Sequence, residues 1–423
     1  MIKKVSIILL FFLYIYTVSF FFLPAIIQTR VIIGIVGIFY FMLFVRKIYF
    51  SKHLVLLFIV FLGFLFIVMI TTIINGHFDN RFVGNVFQNI IYLFGALWMS
   101  EVVKKNWAEN YSFIGIAKII VWAIAINSAM SIIMFVHPPL MLFINSIQNF
   151  DQTHYRVVQG VLMVGTRFIG IGSGTFFTGG VYAATALVLI TFIITHSVKN
   201  QFLWIVLYIF ITITGLFIAR ITIVGNVISF LMIGYYWMHT SSLSANMKRL
   251  FFTVTAIVVM LSAFNHYAYI HQNDPLFQHG LELFLGFQSS GLGTETTNIV
   301  REMLRFPDTT KSFLIGDGRF VNPDGSYYMH TDVGFARLMW YWGIFGTIIY
   351  FVPQLIMSNI LWRKERKTYQ FLTFTLLLFF ALTMSFNLKG ITDLNWLFYL
   401  LSVRYLFVVK SSVKCNEIAK TNI

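Results

Sequence analysis

Apolar runs of roughly 17 to 25 residues recur along almost the whole chain, and this repetition constrains the fold more than any single motif, because such a run spans a bilayer as one α-helix. The runs fall at about 5–23, 26–45, 54–74, 83–100, 114–136, 174–195, 202–219, 221–238, 251–270, 333–357, 369–387 and 393–409, which predicts about 12 membrane spans. Composition agrees. Of 423 residues 58% are apolar, only 11% are charged and 48 are Phe, so too few polar side chains remain to cover a water-facing globule. A soluble enzyme, a secreted disulfide scaffold and a disordered chain are excluded. The one cysteine, Cys415, can form neither an internal disulfide nor a thiolate cluster. The first run follows Lys3 and Lys4 and continues to Leu23, too long for the core of a signal peptide, and reads as an uncleaved first span. The expected fold is thus an all-α integral membrane bundle, with residues 1–423 forming one polytopic domain.

The net charge of +15 is arranged by topology and not as a nucleic-acid patch. With both termini in the cytoplasm, each inner connection carries Lys or Arg: Lys3 and Lys4; Arg46, Lys47 and Lys52; Lys104 and Lys105; Lys199; Lys248 and Arg249; Arg363, Lys364, Arg366 and Lys367; Lys410, Lys414 and Lys420. With Lys118 near the inner end of the fifth span counted inside, the cations left for the outer side and the spans are almost all arginine: Arg30, Arg81, Arg156, Arg167, Arg220, Arg301, Arg305, Arg319, Arg337 and Arg404, beside only Lys311 and Lys389. Topology is served equally by Lys and Arg, whereas the planar guanidinium grips phosphate or carboxylate through paired hydrogen bonds. The outer face therefore reads as built to hold an anion.

Two outer connections are long, residues 137–173 and residues 271–332, the second lying between spans nine and ten. In the first, Arg156 and Arg167 precede a stretch rich in glycine (Gly165, Gly170, Gly172, Gly174) that opens span six, a place where free backbone N–H groups and a helix dipole favour an anion. The same glycines also permit a simple turn and close helix packing. Arg220 stands between two closely spaced spans, where a charge calls for a cavity or a partner. In the second loop Arg301 and Arg305 share a face if residues 298–305 are helical. His330 and Asp332 lie where the chain re-enters the membrane, and Arg337 is one to two turns into span ten. His330 suits a general base, with Asp332 orienting it, serving as base itself, or capping the helix. No credible metal-ligand spacing is present, and neither a metal nor a cofactor is expected. Trp340, Tyr341 and Trp342 fit an interfacial aromatic belt or a sugar-stacking surface.

These features resemble the bacterial O-antigen polymerase (Wzy-type) family, within the wider O-antigen ligase and polymerase superfamily. The resemblance rests on the entry from Arg167 to Gly180 into span six, on Arg220, and on the run from Leu314 to Gly346. That run contains Gly316, Asp317 and Gly318, then Thr331 to Phe335, then Tyr341 to Gly346. An Arg followed eleven positions later by Gly, described in both loops of that family, is matched by Arg305 and Gly316. In the first loop position 167 is Arg and position 178 is Thr, a departure from the pattern. The resemblance implies a metal-independent, inverting glycosyltransferase at the periplasmic face of the bacterial inner membrane. It would join undecaprenyl-diphosphate-linked oligosaccharide repeats, lipid-linked glycan serving as both donor and acceptor. A chain-length regulator and a flippase are the protein partners such an enzyme implies. Arg156, Arg167, Arg220, Arg301, Arg305 and Arg337 would bind diphosphate or glycan, and His330, then Asp332, would be the base. The alternatives are an O-antigen ligase acting on lipid A core and a transporter or flippase of lipid-linked sugars. The latter predicts charge spread through the spans.

Overall fold

A computed structural model describes residues 2–24, 27–44, 48–76, 81–149, 167–173, 176–197, 200–240, 270, 301–322 and 326–409. Within them the chain is helical, apart from one short antiparallel pairing of β1 (Ile48–Phe50) with β2 (Phe407–Val409). The helices are α1 (Ile2–Ile15), α2 (Thr29–Phe44), α3 (Lys52–Asn75), α4 (Arg81–Asn106), α5 (Phe113–Val136) and α6 (Pro138–Ser146). They continue with α7 (Phe176–His196), α8 (Gln201–Ile218), α9 (Thr222–Thr240), the short α10 (Thr310–Leu314), α11 (Gly334–Glu365), α12 (Leu372–Phe386) and α13 (Asn395–Ser402).

Among the described residues, six helices are long and apolar enough to cross a membrane: α3, α4 from Val83, α5, α7, α8 and α11; shorter apolar helices cover Thr29–Leu43 and Leu372–Phe386. The chain is a multi-pass helical protein, and its exterior is apolar as lipid contact requires. On α3, Leu62, Phe66, Met69 and Ile73 are all exposed, whereas Leu57, Phe61, Phe64 and Val68 turn inward. Helix α7 is the most enclosed of the six. Contact between helices relies on small residues, which let backbones approach where lipid supplies no hydrophobic drive. Gly34 and Gly37 of α2 lie against the backbone of α4 at Ile91 and Phe94. Gly180 and Ala184 of α7 meet Ala219 and Gly225 around the α8–α9 turn.

Two expected spans are shorter than the hydropathy suggests. The first apolar run reaches Leu23, yet α1 ends at Ile15. Its final carbonyls, on Tyr14 and Ile15, accept hydrogen bonds from the buried Arg30 guanidinium, which also packs over the Tyr14 and Tyr92 rings at 5.2 and 4.9 Å. Beyond it, Val18 exchanges hydrogen bonds with Thr29, its N–H donating to Thr29 Oγ1 and its carbonyl accepting from Thr29 N–H. Arg30 is thus a helix cap and not part of an anion site. The last run, near 393–409, holds the eight-residue α13, a single turn at Val403–Tyr405 and strand β2. Arg404 lies at that end of the bundle, where it and the Tyr405 hydroxyl both donate to Glu365. The expected ninth span, apart from Ile270, and residues 271–300 of the second loop lie outside the described residues.

Candidate functional site

Helices α2 and α4 run side by side in one direction, Gly34 and Gly37 meeting Ile91 and Phe94, as do α7 and α9, Gly180 meeting Ile221 and Ala184 meeting Gly225. Arg30 reaches Tyr182 and Gly390 joins the first turns of α7 and α11, so these helix N-termini share one end of the bundle. The chemistry-bearing loops collect there. Helix α11 begins after Val333, which is its N-cap and makes no side-chain cap. The Val333 N–H donates instead to Thr331 Oγ1 at 3.2 Å, and that hydroxyl donates to the Met303 carbonyl at 2.6 Å. Asp332 is therefore no cap: its carboxylate lies 4.0 Å from Arg337 Nη1, one turn into the helix. Arg337 is buried, its guanidinium lying 3.7 Å from the ring centroid of Tyr327 and 4.1 Å from that of Phe320. Two aromatic rings from the loop thus pack on this fork. Desolvation at the helix entry raises the Asp332 carboxyl from its ordinary value, against the opposing pull of Arg337 and Lys389, although its side chain is 53% exposed.

The second loop is held to α11 through the helix break. Gly343 has φ 64° and ψ −167°, and a Cβ there would lie 2.3 Å from the Leu314 carbonyl. This conformation belongs to glycine alone. The carbonyls of Trp340 and Tyr341, just before the break, accept hydrogen bonds from the N–H groups of Asp317 and Gly318 at 2.7 and 3.1 Å. Gly316, at φ 80°, presses on the Tyr341 carbonyl, and its own carbonyl accepts from Asn75 of α3 at 3.0 Å. Asp317 then organises the loop: Ser312 Oγ donates to Oδ1 at 2.5 Å and the Tyr328 hydroxyl to Oδ2 at 2.9 Å. Burial and the acceptor bond to Asp317 push the Tyr328 phenol up to about 12, so it stays a donor. After it, Met329 and His330 take φ of 56° and 51°, a strained pair of left-handed residues. His330 is exposed, its N–H donating to the Tyr327 carbonyl at 2.9 Å, and among the described residues no hydrogen bond joins it to Asp332.

Arg301 and Arg305 do not share a helical face, because the helix ends at 303 and both side chains are exposed. Arg305 folds back, its N–H donating to Met303 and its Nε to the Glu302 carbonyl. Its own carbonyl accepts from Trp340 Nε1 at 2.8 Å, which keeps this segment beside α11. Arg167 sits at the neighbouring corner, 6.0 Å from the ring of Phe176, the first residue of α7. The next N–H, on Phe168, donates to Phe217 at 3.1 Å, bringing Arg167 to the turn that carries the half-buried Arg220. Arg156 lies outside the described residues.

Of the two readings of the glycine-rich entry to α7, residues 171–173 fit the turn and not the anion cradle. Their N–H groups are already engaged: Ile171 donates to Asn127 Oδ1, Gly172 to Gln148 Oε1 and Ser173 to the Tyr16 carbonyl. Those three cannot cradle an anion.

A residue absent from the sequence-based set connects the two corners. The loop 387–391 lies between the first turns of α7 and α11, since Cβ atoms at Gly390 and Gly334 would approach Phe177 and Gly390 to 3.1 and 2.7 Å. Lys389 is next to this contact and acts electrostatically on Asp332. Arg167, Phe176, Phe177, Gly390, Lys389, Asp332 and Arg337 therefore follow one another across two helix N-termini. The sequence signal was present, a lysine on the side otherwise served by arginine. Asp317 also went unassigned, although the flanking Gly316 and Gly318 marked its turn. Beneath the site, Tyr350 donates to Asp393 at 3.1 Å and Tyr399 to Asn89 at 3.0 Å, a polar layer within the bundle.

Chemically this arrangement offers cations and helix dipoles to an anion, beside a carboxylate of raised proton affinity. Among the described residues no three His, Cys, Asp or Glu side chains gather in a way that could hold a metal ion. Comparison with protein-family models, with curated proteins and with solved structures finds no match to this chain.

Proposed function

We propose that this protein is a membrane glycosyltransferase that joins undecaprenyl-diphosphate-linked oligosaccharide repeat units into polysaccharide by inverting transfer. In this reading about 12 spans cross the bacterial inner membrane with both termini in the cytoplasm. The site end faces the periplasm, and no metal takes part. The observation that carries the proposal is the gathering of Arg167, Lys389 and Arg337 at the adjoining N-termini of α7 and α11, with Asp332 acting electrostatically with the last two.

The chemistry follows from that gathering. As the bond from the donor's anomeric carbon to the diphosphate oxygen breaks, negative charge grows on the leaving group, and fixed cations stabilise that charge more than they stabilise the ground state. The acceptor sugar hydroxyl attacks the same carbon from the opposite face and gives up its proton. Asp332 is the better-placed recipient, since Arg337 orients it and its proton affinity is raised, whereas His330 projects from the strained turn ahead of it. A positioned base of this kind is worth about 100- to 10,000-fold. Arg220, Arg301 and Arg305 line the approach.

The test uses a deletion strain and gel analysis of surface polysaccharide. Wild type should restore a ladder, while deletion and Arg337→Ala leave lipid-anchored material with one repeat. Finished glycan accumulating on its carrier lipid would instead make the protein a ligase. Loss of repeat units from the outer face would make it a transporter.

A further inference from the structure

A second surface at the site end carries no charge and is not used by this chemistry. Helix α6 follows α5 directly at His137 and Pro138, and its inner face packs Met141 and Ile144 against Met134 and Ile169. Its other face turns Leu142 and Phe143 outward, 60% and 61% exposed. The turn after α1 is stitched to its end: Phe21 N–H donates to the Ile147 carbonyl, Asn149 N–H to the Ser19 carbonyl, and Phe20 pairs with Gln148. In that pairing Phe21 and Ile147 point the same way, and Ile147 is one helical turn beyond Phe143. Phe21 and Phe22 are 64% and 65% exposed, so the two segments form one apolar shelf. Neither residues 14–28 nor residues 131–149 contain Lys, Arg, Asp or Glu.

A water-facing patch of this kind is rare on a folded surface. Here it continues the lipid-facing side of α5, where Ile133 and Val136 are exposed immediately before the turn. We propose that α6 and the 19–24 turn are seated in the interfacial layer of the bilayer leaflet on the site side, as a monotopic shelf and not a span. An uncharged helix with aromatic and aliphatic residues outward partitions there through its apolar area alone. The shelf pins the start of the first long loop at the membrane surface, and it holds whether or not the chain is a polymerase.

Cys415 is the chain's single cysteine, so Cys415→Ser gives a clean background for spin labels in lipid nanodiscs. Labels at Phe22→Cys and Phe143→Cys should be relaxed by oxygen and shielded from a water-soluble nickel chelate, close to a label at the lipid-facing Leu62→Cys. A label at the exposed Asp308→Cys marks the water-facing limit. Chelate access at 22 and 143 equal to that at 308 overturns the proposal. So does dipolar broadening between copies at 143, which would make a second protein chain the occupant. Size-exclusion profiles matching the parent protein show that each variant folds.

Discussion

At the scale of single residues, Arg337 is held by geometry that a lysine cannot reproduce. Its guanidinium packs against Phe320 and Tyr327 and faces Asp332, so Arg337→Lys keeps the charge but loses both that packing and the fork. On the proposed polymerase reading, polymer formation in a reconstituted assay should fall at least about tenfold, the equivalent of one 1.4 kcal/mol interaction. Asp332 gives a prediction with a definite sign. Its folded-state proton affinity is raised, so the folded protein binds more protons than the unfolded chain between the ordinary carboxylate pKa and the raised value, and stability falls as pH rises through that window. Asp332→Asn should therefore leave Tm equal or higher at neutral pH, with the difference vanishing in acid, while activity is lost. Tyr328→Phe leaves Asp317 one donor short and should lower stability by about 1–2 kcal/mol in thermal denaturation. Asp332 and Arg337 were each legible as site residues at a span boundary, but the sequence set Asp332 beside His330, and its contact with Arg337 came only from the folded chain. Arg30 was not, since its role depends on where the preceding helix ends.

At the scale of elements, the break in α11 makes the docking of the second loop a backbone matter. Gly343→Ala puts a Cβ into the Leu314 carbonyl and forces a left-handed residue, so it should destabilise by about 3 kcal/mol or more and reduce the yield of folded protein. Gly234→Ala, inside α9 with open space around it, should be neutral or stabilising by up to about 1 kcal/mol on the same thermal scale. Hydropathy located most helices within a few residues, as with α5, α7 and α8, because lipid imposes one length and one composition on each. It overran α1 and α13, where apolar residues continue past the helix end, into the outward-facing Phe21 and Phe22 after α1 and into the buried Val403 and Leu406 after α13. The glycine-rich entry to α7 stayed open between an anion cradle and a plain turn, because the side chains that take its N–H groups, Asn127 and Gln148, come from elsewhere in the chain.

At the scale of the whole molecule the two ends of the bundle do different work. The end away from the site is tied by Arg404 and Tyr405 to Glu365, with Arg404 also donating to the Tyr111 carbonyl at 3.1 Å. Glu365→Ala would leave the enclosed guanidinium without its carboxylate and should cost about 3–5 kcal/mol, read as detergent-solubilised Tm, without altering which product forms. The general layout of the chain, helical and multi-pass, followed from composition alone. The gathering of Arg167, Lys389 and Arg337 did not, since 222 positions of chain separate the first from the second and only packing joins them. The short α1 has a further consequence for how the chain sits in the bilayer. Its 14 residues give about 21 Å of helix, less than the roughly 30 Å of hydrocarbon to be crossed, and its last carbonyls wait for Arg30. A helix this short does not cross by itself, so α1 becomes stable in the bilayer only together with α2, whose Arg30 closes its end.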